Sequence, residues 1–181
     1  MPFLVPFANF NPAQSEVLAS SLIRESDVNG LWNGVFHAFF GPPNYIIKPE
    51  VRIDFNHIPD LVISKLLWSA EGLSFHHVAL YEGKGLRAAT WYDIRTQLTG
   101  YGRALLPNGK AVYCIGGMGR HICFWYFKKG DMIEIKPMDI DSRSGVPRIR
   151  SSSEMPPQYD IVNDVVAIGK LLNKIVIDPP S

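Results

Sequence analysis

The chain has 181 residues, of which 46% are hydrophobic and 12% aromatic, and its formal net charge at pH 7 is +1. This length and apolar fraction predict one domain with a substantial core, and the near-neutral charge excludes a generally basic protein that binds nucleic acid through its whole surface. Cys114 and Cys123 are too few for a disulfide framework, a four-thiolate zinc site or an iron–sulfur cluster, and we favour reduced core thiols over a disulfide across a hairpin.

The N-terminal segment from Met1 to Phe7 is apolar but lacks the basic residues of a targeting signal, and the sequence turns polar by Asn9. No apolar run in the sequence approaches the roughly 20 residues of a transmembrane helix. We therefore expect a soluble, intracellular protein, nuclear or cytoplasmic.

The first helix is predicted to begin after Asn11, which suits an N-cap, with Gln14 placed to reach back to it. The helix is predicted to continue to about Ser26. Its buried stripe is predicted to consist of Val17, Leu18, Leu22 and Ile23. Glu16 lies near one edge of this stripe, so its carboxylate is predicted to look toward the core.

A second, shorter helix is predicted at 28–40, ended by the glycine and two prolines that follow it. Strands are then predicted at 51–55, where apolar and polar residues alternate, and at 61–66, which follows a turn at 56–59. A strand meander therefore begins in this part of the chain.

After a loop at 67–75, the segment 78–84 predicts a strand that ends in an acidic and a basic residue. Alternate side chains of a strand project from one face, and here that face is predicted to carry Val78, Leu80, Glu82 and Lys84. A carboxylate and an ammonium group therefore point the same way. Gly83 and Gly85 indicate that the strand ends where its backbone closely approaches another part of the chain.

A helix is predicted at 88–105 by the spacing of Trp91, Ile94, Leu98 and Tyr101. Strands at 111–115 and 122–127 are predicted to form a hairpin around a glycine-rich turn, and a further strand is predicted at 132–135. The sheet would then contain five or six strands.

The last part of the sequence contains a polar loop and a helix. Residues 141–153 are rich in serine and arginine and predict an exposed or disordered loop, whereas apolar residues at helical intervals predict a C-terminal helix at about 158–175. Nothing marks a domain boundary, so we expect residues 1–181 to form a single domain with its core at about 11–135.

Four motifs follow one another along these elements: Glu16 on a helix, Pro59-Asp60, Glu82-Gly83-Lys84, and Gln97 with Tyr101 four residues later. Their order resembles the PD-(D/E)XK superfamily of restriction-endonuclease-like nucleases, and the Gln97–Tyr101 spacing resembles the QxxxY motif of its RecB-like branch. The stretch 109–127 is also similar to a hairpin of fungal PD-(D/E)XK proteins. The resemblance implies an α/β fold with a mixed central sheet flanked by helices.

The activity that this resemblance implies is divalent-metal-dependent hydrolysis of phosphodiester bonds, in DNA more readily than in RNA, with Mg²⁺ or Mn²⁺ as the cofactor. Carboxylate and carbonyl oxygens suit such hard cations, so the proposed ligands are Asp60, Glu82 and the carbonyl of Gly83. The resemblance adds Glu16 to this ligand set, and Asp54 is the alternative to Glu16.

The remaining residues of the motifs have supporting or electrostatic roles. The ammonium of Lys84 can stabilise charge on the scissile phosphate, or help to take a proton from water if a cation lowers its pKa. Gln97 and Tyr101 lie one helical turn apart, so they can hold the substrate backbone or the Lys84 side chain. A binding module that lacks turnover is the alternative to an enzyme, and a small effector or interaction protein is the third option.

Other polar residues give further candidates for the site. His57 lies close to Asp60 in sequence, and His76-His77 precede the strand with Glu82, so a histidine-assisted metal site is a second reading of the chemistry. The cations that can flank a phosphate track are Arg87, Arg95, Arg103, Lys128 and Lys129, with Arg143, Arg148 and Arg150 on the polar loop. The aromatic run 124–127 is predicted to be core, and the terminal helix is a candidate homodimer interface.

Overall fold

The computed structural model describes residues 12–180, which contain four helices and eight strands. In chain order they are α1 (Pro12–Ser21), α2 (Glu25–Phe39), β1 (Tyr45–Pro49), β2 (Leu61–Ser69), β3 (Gly72–Lys84), α3 (Trp91–Leu105), β4 (Ala111–Met118), β5 (His121–Lys128), β6 (Ile135–Ile140), β7 (Pro147–Ile149), β8 (Tyr159–Asp160) and α4 (Val165–Ile177). None of the helices in this range combines the length and apolar character needed to cross a membrane.

The strands form a mixed, mostly antiparallel sheet in the order β1-β2-β3-β4-β5-β6-β7, with β8 paired to β5. Only β3 and β4 among the paired strands of residues 12–180 run parallel, and α3 makes the crossover that a parallel pair requires. The predicted α/β class, with helices flanking a mixed sheet, is therefore confirmed at this level.

Each face of the sheet packs against different helices. One apolar cluster joins α2 and α4 to the sheet and includes Trp32, Phe36 and Leu172. The other joins α3 to the opposite face and includes Leu98 and Trp125. The aromatic run 124–127 contributes to both clusters, as predicted for core residues.

A β-bulge changes the predicted face pattern of β3. Ile63 pairs with Ala79 but Ser64 pairs with His77, so Val78 is an extra residue in the strand. Val78 consequently packs in the cluster of α2 and α4, whereas Leu80 packs in that of α3. The prediction that Val78 shares the face of Leu80 is wrong, and the alternation applies only beyond the bulge.

The first predicted helix is broken into two. The helix α1 ends at Ser21 instead of Ser26, because the hydroxyls of Ser20 and Ser21 bond back to the carbonyls of Val17 and Leu18 and compete with the helical pattern. Leu22 is buried as predicted, but Val17 and Ile23 are exposed. The predicted N-cap Asn11 lies outside the described residues.

Two predicted strands and one predicted loop also differ from the structure. Residues 51–55 form a turn in which Asp54 accepts a hydrogen bond from the amide of Asn56, and the first strand is β1 instead. The predicted loop 67–75 is a tight hairpin between β2 and β3. The predicted strand 132–135 begins only at its last residue, where β6 starts.

The C-terminal region is more ordered than its composition predicts. Within 141–153, β7 pairs with β6, and Arg148 and Arg150 form ion pairs with Asp139. The terminal helix is confirmed but begins at Val165, because β8 and a turn occupy the residues before it. Cys114 pairs with Trp125 across the hairpin, and both cysteines are buried free thiols.

Candidate functional site

Asp60 and Glu82 meet at one end of the sheet because of the pairing of β2 with β3. Leu61 pairs with Tyr81, so Asp60, the residue before β2, lies beside the last residues of β3. The amide of Gly83 donates to Oδ2 of Asp60 at 2.7 Å. This hydrogen bond fixes the Asp60 carboxylate at the end of the strand that carries Glu82.

The carboxylate of Glu82 is buried, with only 3% of the residue exposed. Its Oε1 lies 2.6 Å from Nζ of Lys84, and its Oε2 accepts a hydrogen bond of 3.0 Å from the hydroxyl of Tyr101 on α3. The structure therefore brings together Asp60, Glu82, Lys84 and Tyr101, four of the predicted site residues.

Two residues of α2 join this site, and the sequence interpretation missed both. Oε2 of Glu25 lies 3.3 Å from Nζ of Lys84, and the side chain of Asn29 forms a hydrogen bond with Asp60. Glu25 and Asn29 are four residues apart, so they lie on the same face of the helix. The four-residue spacing of Glu25 and Asn29 could have indicated this shared face from the sequence. The first helix was predicted to continue to about Ser26, however, so the two residues were assigned to different helices.

Glu16 and Asp54, the two alternatives for the helix acid, lie elsewhere. The side chain of Glu16 is 78% exposed and its carboxylate lies 3.7 Å from Arg120. Asp54 binds the imidazole of His57 at 2.8 Å. Of the described acidic residues, Glu25 is the one that a helix contributes beside Lys84.

Gln97 is exposed and lines a cleft beside α3, whereas Tyr101 reaches the carboxylates. Of the two residues of the predicted motif, Tyr101 therefore contacts Glu82, whereas Gln97 faces the cleft. His77 bonds to Ser64 within the β2–β3 ladder, and His76 contacts the carbonyl of Pro180. Both histidines thus form these hydrogen bonds away from Asp60 and Glu82.

Gly83 and Gly85 lie where the end of β3 packs closely against α2 and the residues before it. A Cβ atom on Gly83 would lie 1.9 Å from Oδ1 of Asn29 and 2.5 Å from the hydroxyl of Tyr81. A Cβ atom on Gly85 would lie 2.3 Å from the carbonyl oxygen of Ile23. The predicted close backbone approach at both glycines is confirmed, and it holds α2 against the site.

The pKa values of Asp60 and Glu82 are both raised, because neighbouring donors and cations offset only part of the cost of burying a carboxylate charge. Burial raises the pKa of Asp60, and the charge of Glu25 adds to this effect, against the opposing Gly83 amide and Lys84. Burial also raises the pKa of Glu82, and the negative charge of Asp60 raises it further. Negative charge is thus costly here, which is typical of functional sites and favours a bound cation.

Lys84 is held as a cation. Burial acts to lower the pKa of Lys84, but the carboxylates of Glu82, Glu25 and Asp60 outweigh burial and raise it. Burial, together with Glu82, also raises the pKa of Tyr101, so its hydroxyl remains a proton donor to Glu82. In the protein without bound metal, Lys84 therefore stabilises negative charge and does not act as a base.

Replacing Asp60 with asparagine is expected to stabilise the folded protein at pH 7. A carboxyl group whose pKa rises on folding contributes stability below its unfolded-state pKa, and that contribution is lost as pH rises through its folded-state pKa. We expect a gain of about 1 kcal/mol, or roughly 2–4 °C in Tm, from removing the charge.

Thermal melts at pH 7 and near pH 3 measure this effect. The advantage should disappear at the lower pH, where Asp60 is protonated, and the exposed helix acid Asp27 should give no gain when changed to asparagine. A lower Tm for Asp60→Asn at pH 7 would contradict the assigned cause of the shift.

The oxygen atoms of this site fit a hard divalent cation. Besides the two carboxylates, Oδ1 of Asn29 and the hydroxyl of Tyr81 are buried without a hydrogen-bond partner among the described residues. Residues 12–180 contain no group of three or more His, Cys, Asp or Glu side chains arranged to hold a metal. A cation at Asp60 and Glu82 would therefore depend on water or substrate for its other ligands, an arrangement common for Mg²⁺.

The predicted phosphate track is only partly available. Arg103 pairs with Glu134, and Nζ of Lys129 binds the carbonyls of Arg103 and Leu106 at the end of α3. Lys128 lies 3.8 Å from Asp131. These cations have structural partners, so their charge is partly neutralised by the protein itself.

Comparison with known proteins identifies no family for this chain. It matches no protein-family model, no curated protein and no solved structure. Function is therefore inferred from the side chains of the site and their surroundings.

Proposed function

We propose that the protein is a divalent-metal-dependent nuclease of restriction-endonuclease-like type that hydrolyses phosphodiester bonds, in DNA more readily than in RNA. One observation carries the proposal: the buried carboxylate of Glu82 and the partly buried carboxylate of Asp60 lie beside a protonated Lys84 at the end of two neighbouring strands. Paired carboxylates can hold a divalent cation and a nearby ammonium can stabilise charge on a phosphate, so together they suit phosphoryl transfer to water.

Each side chain has a separate task in this proposal. Lys84 donates from its ammonium to a non-bridging phosphate oxygen, where negative charge develops. Tyr101 orients Glu82, while Asn29 and the Gly83 amide orient Asp60. Glu25 holds Lys84 from the opposite side. Mg²⁺ or Mn²⁺, when bound, supplies a Lewis acid that polarises the phosphate and lowers the pKa of water.

The order of elements supports the restriction-endonuclease-like reading. A helix with an acid, a three-strand meander, a crossover helix and a parallel fourth strand follow one another as α2, β1–β3, α3 and β4. In this reading Glu25 replaces Glu16 as the acid of the first helix. Asp60, Glu82 and Tyr101 then keep the positions that the motifs assign to them.

A cleavage assay tests the proposal. Labelled single-stranded and duplex DNA and a matched RNA are incubated with Mg²⁺ or Mn²⁺, and then with chelator. We expect cleavage with metal, none with chelator, and a metal-dependent rise in Tm that Asp60→Ala abolishes. Absence of both cleavage and a Tm rise across the substrates would overturn the nuclease.

A nucleic-acid- or protein-binding module without turnover is the second candidate. The observation that favours it is the ion pair of Lys84 with Glu82, since 2.6 Å between these groups satisfies the carboxylate without metal. Such a module would bind DNA in the presence of chelator and release it uncut when metal is added.

A further inference from the structure

A cleft of about 1080 Å³ opens beside the proposed site, between α3 and the segment 131–135. Residues of α3 form one wall, and the turn before β2 closes the end that is nearest the carboxylates. The lining residues that bear on ligand binding are Asn56, His57, Tyr92, Gln97, Tyr101 and Met132. This volume is at the upper end of the range typical of small-ligand pockets.

Tyr101 lies between the cleft and the carboxylate of Glu82. Its residue lines the cleft, while its hydroxyl donates to Glu82 at 3.0 Å. A strand whose scissile phosphate lies at Asp60 and Glu82 would have to pass the Tyr101 ring to enter the cleft. The neighbouring nucleotide is the part of such a strand that would occupy it.

His57 is held rigidly at this end of the cleft. Its Nδ1 lies 2.8 Å from both carboxylate oxygens of Asp54, and its ring meets the Tyr101 ring edge-on at 6.0 Å between centroids. Hydrogen bonding of one ring nitrogen to a carboxylate fixes the ring orientation and directs the other nitrogen to a ligand. Nδ1–H donates to Asp54, and an imidazole that carries both protons has its second donor at Nε2.

Gly100 is the residue of α3 that makes room for this ring. Glycine inside a helix costs up to about 1 kcal/mol relative to alanine. A Cβ atom on Gly100 would lie 3.1 Å from Nε2 of His57, whereas one on Gly102 would lie 2.6 Å from the Phe127 ring in the core. Gly102 thus serves core packing, but Gly100 serves a partly exposed polar ring at a cleft.

The rest of the cleft suits a nucleotide. Tyr92 is 69% exposed and offers a ring on which a base can stack. Arg95 and Arg103 flank the cleft, and its two acids, Asp131 and Glu134, are paired with Lys136 and Arg103. The charges of both acids are therefore offset by cationic partners, so they do not strongly repel an anion that approaches Nε2 of His57.

We propose that this cleft binds the nucleotide next to the scissile bond in a single strand of nucleic acid. His57 donates from Nε2 to the phosphate of that nucleotide, and Tyr92 stacks on its base. The inference rests on the proposed function, because the position of the cleft beside Asp60 and Glu82 is what makes a nucleotide its expected ligand.

The test is a calorimetric titration in chelator, with the thymidine dinucleotide carrying a 5′ phosphate and the same dinucleotide without it. We expect the phosphate to improve binding about tenfold in the wild type and not at all in His57→Gln. Gly100→Ala, which displaces the His57 ring, should have the same effect. Tyr92→Ala should weaken both ligands roughly tenfold.

Gly34→Ala is the matched control, since a Cβ atom on this helical glycine meets nothing within 4 Å. Equal affinity of the wild type for both dinucleotides, or an unchanged phosphate preference in His57→Gln, would overturn the inference. The titration contains no metal, so it measures binding independently of cleavage. If the protein binds the dinucleotide with the expected phosphate preference but never cleaves DNA or RNA in the metal assay, the nuclease is refuted and the nucleotide site in the cleft is retained. Tyr92 is on the surface, so its variant remains informative if a histidine variant does not fold.

Discussion

The Glu82→Gln variant is expected to lose metal-dependent cleavage by about a thousandfold or more. Glutamine keeps the shape of the side chain but removes the charge that faces Lys84 and the proposed cation. A thousandfold loss corresponds to about 4 kcal/mol of transition-state stabilisation, the scale of one electrostatic group in a buried site. Single-turnover cleavage of labelled DNA with saturating Mn²⁺ measures it.

Folding and charge must be separated in this experiment. Burial raises the pKa of Glu82, so removing its charge should leave the fold intact, which circular dichroism can verify. Glu71→Gln, at the exposed turn between β2 and β3, removes one negative charge far from α2 and should cleave like the wild type. Wild-type cleavage by a folded Glu82→Gln variant would exclude Glu82 from the chemistry.

The Gly85→Ala variant is expected to lose about 2–3 kcal/mol of folding stability. The added methyl group would lie 2.3 Å from the carbonyl oxygen of Ile23, and backbone cannot rotate away as a side chain can. The strain acts on the junction of α1 and α2, immediately before Glu25. Any residual folded protein should therefore also position Glu25 poorly against Lys84 and cleave more slowly.

Urea unfolding at pH 7 measures the loss. Gly34→Ala, in the open part of α2, should instead gain up to about 1 kcal/mol, because alanine favours a helix and nothing obstructs its methyl group. Stability of Gly85→Ala equal to that of the wild type would show that the segment before α2 does not pack against the end of β3 as described.

Local patterns were sufficient to predict the elements that carry most of the site. The predicted helix at 88–105 corresponds to α3, and the hydroxyl of Thr90 with the carboxylate of Asp93 forms a capping box that sets its start. Alternation predicts that Leu80 and Glu82 share a face, because β3 is regular beyond its bulge. These features depend on a few adjacent residues, which a sequence displays directly.

Features that depend on distant contacts were not predictable in this way. The bulge at Val78 arises from pairing with β2, and nothing within β3 announces it. The resemblance assigned Glu16 to the site as the acid of the first helix, yet the serine hydroxyls end α1 and Glu25 begins the next helix beside Lys84. Asp54 alternates like a strand residue, but its bond to His57 makes a turn.

The most direct test of the site is anomalous diffraction from a crystal of the protein soaked in Mn²⁺. We expect one strong anomalous peak within coordination distance of carboxylate oxygens of both Asp60 and Glu82, which is lost in crystals of Asp60→Ala. A well-occupied peak elsewhere, with Lys84 still bound to Glu82 and no manganese between the two carboxylates, would contradict it.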